Sequence, residues 1–211
     1  KDRTKPYDII CRCCGRKKMT QKEKLRKRII EIRKSTDNKT ITSNSRKILI
    51  KLFRTAEFRR AKKIMFYCSF GNEVETYKMI EKSFELKKQV FLPKIVKDHI
   101  VSVEVKNVIN LVRGKFGILE PKVTSNKQQA TSKIDVAIVP GVAFDENCNR
   151  IGFCKGYFDG FLSVQKGIRI GLAHSFQIAK KVVVSKRDVP MDMVITEKHI
   201  FKRRMGGFEN E

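Results

Sequence analysis

No stretch of the sequence approaches the roughly 18 consecutive apolar residues of a membrane span. The first ten residues, Lys1 to Ile10, lack the apolar region of a secretory signal. A soluble cytoplasmic protein with no membrane partner is expected. Six cysteines in 211 residues are too few for a disulfide scaffold, and Cys68, Cys148 and Cys154 stand singly, so reduced thiols are expected. Acidic residues are scarce, with 22 Asp and Glu against 47 Lys and Arg and a formal net charge of +25.

That excess raises nucleic acid as a partner, because each neutralised phosphate releases counterions. No RNP-type aromatic run, zinc finger or basic zipper accompanies it, so nucleic-acid binding is not expected as the main role. Lys1 to Lys34 carry 14 basic and 4 acidic residues. Cys11-Arg12-Cys13-Cys14 lacks the two separated ligand pairs of a zinc site, and His99, His174 and His199 lie far downstream. Lys1 to Lys18 are therefore read as a basic, disordered extension, and 19–211 as the functional domain.

With 41% hydrophobic residues the chain can bury a continuous core. Thr20-Gln21-Lys22-Glu23 is a capping box, followed by Leu25, Ile29, Ile30 and Ile32 on one helical stripe. A second helix is expected after Ser43 or Ser45, and a third from Val74 to Leu86. Ile64 to Cys68, Val90 to Leu92 (stopped by Pro93), Ile100 to Val105, Ile134 to Val139, Ile168 to Leu172 and Met193 to Ile195 read as strands. Lys106 to Lys133 reads as mostly loop, Gly152 to Gly156 as a turn and Tyr157 to Val164 as a short helix. Strands separated by helices imply an α/β fold, a single three-layer α/β/α domain with a mostly parallel, Rossmann-like sheet. Ligands then bind beyond the carboxyl ends of the strands, which singles out the loops 69–76, 140–157 and 173–177.

The densest loop runs Arg150-Ile151-Gly152-Phe153-Cys154-Lys155-Gly156-Tyr157-Phe158-Asp159. Glycines in a turn that opens a helix let backbone N–H groups approach phosphate oxygens, with the helix N-terminus adding positive charge. The loop is neither a Walker A sequence nor a G-x-G-x-x-G fingerprint, and by itself stays open between phosphate binding and a plain turn.

Pro140-Gly141-Val142-Ala143-Phe144-Asp145, then Arg150-Ile151-Gly152 and Lys155-Gly156-Tyr157-Phe158-Asp159, resemble the signature of the 5-formyltetrahydrofolate cyclo-ligase family, P-G-x-x-F-D followed by R-L-G-x-G-x-G-Y-Y-D. Lys22-x-x-Leu25-Arg26, Asn72-Glu73-Val74-Glu75-Thr76, Gly117-Ile118-Leu119-Glu120-Pro121 and Gln177 match in the expected order, so that the resemblance spans Met19 to about Ile200. Cys154 departs from the family's middle Gly and Phe158 from its second Tyr.

The resemblance implies ATP- and magnesium-dependent conversion of 5-formyltetrahydrofolate to 5,10-methenyltetrahydrofolate, with ADP and phosphate released through a phosphorylated formyl intermediate. Such phosphoryl transfer needs positioning and charge neutralisation more than a protein nucleophile. Carried over by position, Lys22, Arg26, Arg150, Gly152, Phe153, Cys154, Lys155, Gly156, Tyr157 and Phe158 would hold ATP. Arg150, Lys155 and Tyr157 would serve catalysis, and Asp159 and Asp188 would bind Mg2+. Cys68 and Glu73, with Phe153, Cys154, Lys155, Gly156 and Tyr157, would line the folate pocket. Without the resemblance, Lys22 and Arg26 are solvated charges one helical turn apart, Glu73 a first-turn helix charge, Tyr157 a packing residue and Asp188 part of a plain turn. Two other functions stay open on the same fold: an ATP-binding paralogue acting on another one-carbon or thiamine-related compound, and a non-catalytic RNA-binding module. A monomer is expected.

Overall fold

The computed structural model describes residues 19–97, 99–108, 111–114, 117–122, 133–153 and 156–203. Lys1 to Lys18 with their three cysteines, and Cys154 and Lys155 of the glycine turn, lie outside the described residues.

Helix α1 (Gln21–Ser35) starts at the expected capping box. The Thr20 hydroxyl accepts the Glu23 N–H at 3.2 Å, and Glu23 Oε2 accepts the Thr20 N–H at 2.8 Å. Helix α2 (Asn38–Arg54) begins earlier than the serines suggest, because Asp37 caps it by accepting the Thr40 N–H. Ser45 lies inside α2 and accepts the Glu75 N–H instead. Short α3 (Ala56–Arg60) follows, then α4 (Tyr77–Glu85) and α5 (Tyr157–Val164).

The strands are β1 (Lys63–Met65), β2 (Gln89–Val96), β3 (His99–Val105), β4 (Leu111–Arg113), β5 (Leu119–Pro121), β6 (Val136–Val139), β7 (Ala143–Asp145), β8 (Arg150–Ile151), β9 (Ile168–Leu172), β10 (Ile178–Ala179), β11 (Met193–Ile195) and β12 (Ile200–Lys202). Seven form one sheet in the order β12-β11-β9-β6-β1-β2-β3. The five inner strands are parallel and the two edges antiparallel. The α/β expectation therefore holds, with a mostly parallel central sheet.

Period-two alternation sorts the side chains between two cores. Ile64, Val136, Ile138, Ile170, Leu172, Met193 and Ile195 face α2, α3 and α4 through Ile48, Leu52, Phe58, Met79 and Ile80. Met65, Ala137, Val139 and Val194 face Phe161 and Leu162 of α5 together with Phe144. This second face is covered by α5 and by a small sheet, β10-β7-β8, whose strands β7 and β8 lie in the stretch 140–157 read as loop. Helix α1 packs on that small sheet through Ile29, against Val142, Ala143 and Ile151.

Two further details differ from the sequence reading. Strand β2 does not stop at Pro93 but runs on to Val96, paired with β3. Pairing with β1 ends at Phe91, so Pro93 sits where β2 has β3 as its only ladder partner among the described residues, and a missing N–H is tolerated. Part of 106–133 forms the β4–β5 hairpin.

Strand β1 connects through α4 on one face to β2, whereas β6 connects through α5 on the other face to β9. The chain thus diverges at the carboxyl ends of the adjacent strands β1 and β6, the topological switch point where open α/β sheets bind ligands.

Candidate active site

The loops leaving β1 and β6 and the glycine turn before α5 meet at this switch point, with α1 laid across them. Three cations of α1 fall on one stripe, since 22, 26 and 33 are spaced by one and then about two turns. Lys22 Nζ lies 2.6 Å from Asp188 Oδ2, which also accepts the Ser185 N–H. Burial would raise the Asp188 carboxyl, but the hydrogen bonds from Lys22 and Ser185 outweigh it and hold its pKa below the usual range. Arg26 Nε–H donates to the Gly152 carbonyl at 3.1 Å, so this side chain docks α1 onto the turn.

Arg150, 4% exposed, donates through one terminal nitrogen to Asp159 Oδ1 at 2.8 Å and through the other to the Pro140 carbonyl at 3.2 Å. The same Asp159 oxygen accepts the Val189 N–H. Arg150 thus joins the ends of β6 and β8 to the first turn of α5. A Cβ at Gly152 would lie 3.0 Å from the Arg150 guanidinium. Gly156 caps α5 with a left-handed φ of 68°, a conformation that costs a non-glycine residue about 1–2 kcal/mol. Gln177 closes the back of the site: its Nε2 donates to the carbonyls of Gly141 and Val142, and its Oε1 accepts the His174 N–H. Asp145 is 1% exposed and accepts from Asn149 and from the Val182 N–H, which makes it a brace of the small sheet.

On the β1 side, Glu73 Oε2 accepts the Phe70 N–H at 2.9 Å, and Oε1 lies 3.6 Å from the guanidinium of Arg33. Burial raises the Glu73 carboxyl and Arg33 opposes it. Arg33 is also stacked over the Phe153 ring, 5.1 Å from its centroid. This residue, absent from the sequence reading, puts the Glu73 loop and the glycine turn in one wall. Asn72 fastens the loop by donating to the carbonyls of Arg33 and Thr36 at the end of α1. Glu75 points elsewhere, accepting from the Thr42 hydroxyl of α2.

Cys68 is 3% exposed, and burial, with Glu120 and Glu73 nearby, pushes its thiol up to about 12. A neutral thiol is a poor nucleophile, and Cys68 packs in the main core. Glu120, 7% exposed, belongs to β5, which is tied to β2 by the bond from Lys94 Nζ to the Pro121 carbonyl. His174 is completely buried, and among the described residues neither ring nitrogen has a hydrogen-bond partner of ordinary geometry. Burial lowers its pKa to about 4, although Glu197 and the Glu73 backbone pull it upward. A separate groove of about 910 Å3 lies on another part of α1, lined by Arg28, Ile32, Phe176 and Lys180, and contains none of the expected site residues.

Lys22, Arg26 and Arg150 thus gather about a glycine turn and a helix N-terminus, and the partly buried Glu73 carboxylate is tied to the same turn through Arg33 and Phe153. Comparison with known proteins decides the family. The 5-formyltetrahydrofolate cyclo-ligase family model matches residues 18–197. The chain belongs to the 5-formyltetrahydrofolate cyclo-ligase family. Among curated relatives, a probable 5-formyltetrahydrofolate cyclo-ligase of Schizosaccharomyces pombe is 32% identical over 72% of this chain and 79% of its own length. The 5-formyltetrahydrofolate cyclo-ligase of Escherichia coli K12 is 28% identical over 66% of this chain and 80% of its own. Among solved structures, the 5,10-methenyltetrahydrofolate synthetase of Aquifex aeolicus superposes with a TM-score of 0.80 at 31% identity, covering 91% of this chain and 97% of that one. In this cyclo-ligase fold no helix among the described residues is long and apolar enough to cross a membrane.

Proposed function

We propose that this protein performs the ATP-dependent cyclisation of 5-formyltetrahydrofolate to 5,10-methenyltetrahydrofolate, releasing ADP and phosphate. The observation that carries the reading is the convergence of Lys22, Arg26 and Arg150 on a glycine turn, next to the Glu73 pocket, in a chain of this family. The formyl oxygen attacks the γ-phosphorus and the bond to ADP breaks, leaving an O-phosphorylated imidate. Nitrogen 10 adds to the activated carbon and loses its proton. The carbon–oxygen bond to phosphate then breaks to give the methenyl bridge. No protein nucleophile is needed, and the raised Cys68 thiol agrees with that.

In this reading Lys22, Arg26 and Arg150 neutralise ATP oxygens. Gly152, Phe153, Gly156, Tyr157 and Phe158 follow the nucleotide, together with Cys154 and Lys155, which lie outside the described residues. Arg150, Lys155 and Tyr157 act at the transferring phosphoryl group. Glu73 accepts N–H donors of the pterin, and Cys68 packs beneath it.

No group of three or more His, Cys, Asp or Glu fit to hold a metal occurs among the described residues. Asp159 and Asp188 nevertheless suit Mg2+, which is usually held by one or two carboxylates plus substrate phosphates. The bonds described above fall on Oδ1 of Asp159 and Oδ2 of Asp188, leaving the other oxygen of each outside them. Mg2+ would neutralise charge as the phosphoryl group transfers. A phosphate arriving at Lys22 releases Asp188 from its ion pair, so one exchange readies both groups.

The test is turnover of 5-formyltetrahydrofolate with Mg2+ and ATP, followed by the near-ultraviolet absorbance of the methenyl product and by ADP release in equal amount. ATP-dependent product formation is expected. ATP hydrolysis without product would favour a different substrate on the same site, and the absence of both would refute the reading.

A further inference from the structure

Glu73 keeps only 12% of its side-chain surface exposed, and it would have to stay ionised there to accept pterin donors. A carboxylate in that position needs a charge close by, yet a bidentate partner would use up the oxygens the ligand requires. Arg33 meets both conditions. At 3.6 Å from Oε1 it is beyond the 2.7–2.9 Å of a charge-assisted hydrogen bond, so it lends its field while leaving lone pairs free. The Arg150–Asp159 contact, at 2.8 Å, shows the opposite arrangement.

The position of Arg33 is itself fixed. The residue is 2% exposed, sits in the last turn of α1, packs its guanidinium over Phe153, and has its carbonyl held by Asn72. It shares a helical stripe with Lys22 and Arg26, about 16 Å and 10 Å away along the axis at 1.5 Å per residue. One rigid helix therefore carries the charges for both substrates.

We propose that Arg33 is a positioning residue for the folate: it keeps the Glu73 carboxylate anionic and oriented for the pterin, and α1 fixes that carboxylate relative to the nucleotide cations. The proposal rests on the function proposed above. The other titratable groups facing Glu73 do not supply the charge. Tyr67, Cys68 and Tyr77 are neutral, each raised by burial and by Glu73 itself, directly or among other groups. His174 beside the Glu73 backbone is kept neutral by burial, and Glu120 and Glu197 are acids.

The experiment compares the wild-type chain with Arg33→Met, Arg33→Lys and Glu73→Gln and with the double variant Arg33→Met/Glu73→Gln. The KM for 5-formyltetrahydrofolate and the ATP affinity without folate are measured from about pH 5.5 to 8.5. Without Arg33 the carboxyl takes up its proton at higher pH, and the protonated form binds folate poorly. In Arg33→Met, the limb should lie about one pH unit or more above its wild-type place, so that KM for folate on the acid side of the limb rises by about tenfold for each unit of that shift and recovers as pH rises. Arg33→Lys should return the limb most of the way, and ATP affinity should hold throughout. In the Glu73→Gln background, Arg33→Met should add little. Should Arg33→Met fail to fold, Arg33→Gln reads the same quantity. An unmoved limb, or an Arg33→Met loss that is as large when Glu73 is already Gln, overturns the proposal. Absence of ATP-dependent turnover in the wild-type protein would instead overturn the reading it rests on.

Discussion

Replacing Arg150 by methionine, which keeps most of the aliphatic stem and removes the guanidinium, should cost stability and turnover together. The guanidinium is 3% exposed and makes a 2.8 Å contact with Asp159 and a 3.2 Å bond to the Pro140 carbonyl. Breaking a buried pair by removing one partner costs about 3–5 kcal/mol. Asp159, however, keeps the Val189 N–H and 17% of its side-chain surface, so it is partly resolvated and the lower end, about 3 kcal/mol, applies. For a chain of this size that is a drop of about 6–12 °C in melting temperature. The catalytic loss is separate: a charge preorganised for the transferring phosphoryl group is worth on the order of a hundredfold in kcat or more. Thermal melting with and without ATP, and turnover well below the melting temperature, measure the two effects. A cycle with Asp159→Asn should show coupling of about 1 kcal/mol or more. Wild-type melting with full turnover would refute both roles. A large drop in melting temperature with full turnover would leave Arg150 a brace of β6, β8 and α5 alone.

Glu73→Gln should weaken folate by about 2 kcal/mol and leave ATP untouched, whereas Glu75→Gln, whose amide oxygen can still accept from the Thr42 hydroxyl, should leave folate titrations unchanged; the reverse result would mean the pocket is assigned to the wrong carboxylate. Gly156→Ala meets no atom within 4 Å and suffers only from its φ of 68°, about 1–2 kcal/mol. A Cβ at Gly167 would lie 2.1 Å from the Ile134 carbonyl, so melting curves should place Gly167→Ala below Gly156→Ala while turnover ranks them the other way. His174 binds its proton near pH 4 in the folded state instead of near 6.5, so stability should fall as pH drops from about 6.5 to 4, by up to roughly 3 kcal/mol. His174→Phe should flatten that limb, because the titrating ring is gone; denaturant melts at pH 5 and 7.5 that match wild type in both would refute it.

The parts of this fold that were legible in the sequence are those whose signal is local. The Thr20 box fixes the start of α1, the Gly152–Gly156 turn places α5 at Tyr157, and the apolar runs from Ile168 and Met193 give β9 and β11 without a shift of boundary. Where the deciding partner is distant, the reading fails in a physically specific way. Strands β7, β8 and β10 are two or three residues long, too short for periodicity, and they pair with one another across the chain, with Gln177 and Asp145 bonding next to their ends. Pro93 reads as a strand terminator, and only the early end of β1 makes it harmless. The site divides along the same line. Lys22, Arg26, Arg150, Glu73 and Asp159 could be picked out because family motifs carry them, but the sequence could not tell that Arg150 is buried against Asp159 or that Lys22 is paired with Asp188, 166 residues away. Arg33 carries no local mark at all. It is one more cation in a helix crowded with them, and what separates it from Lys27 or Arg28 is its phase on α1, which turns it inward at Glu73 and Phe153. In a chain of net charge +25 composition cannot single out such a residue, because the solvated lysines and the buried arginine score alike; burial separates them, and burial is a property of the packed helix.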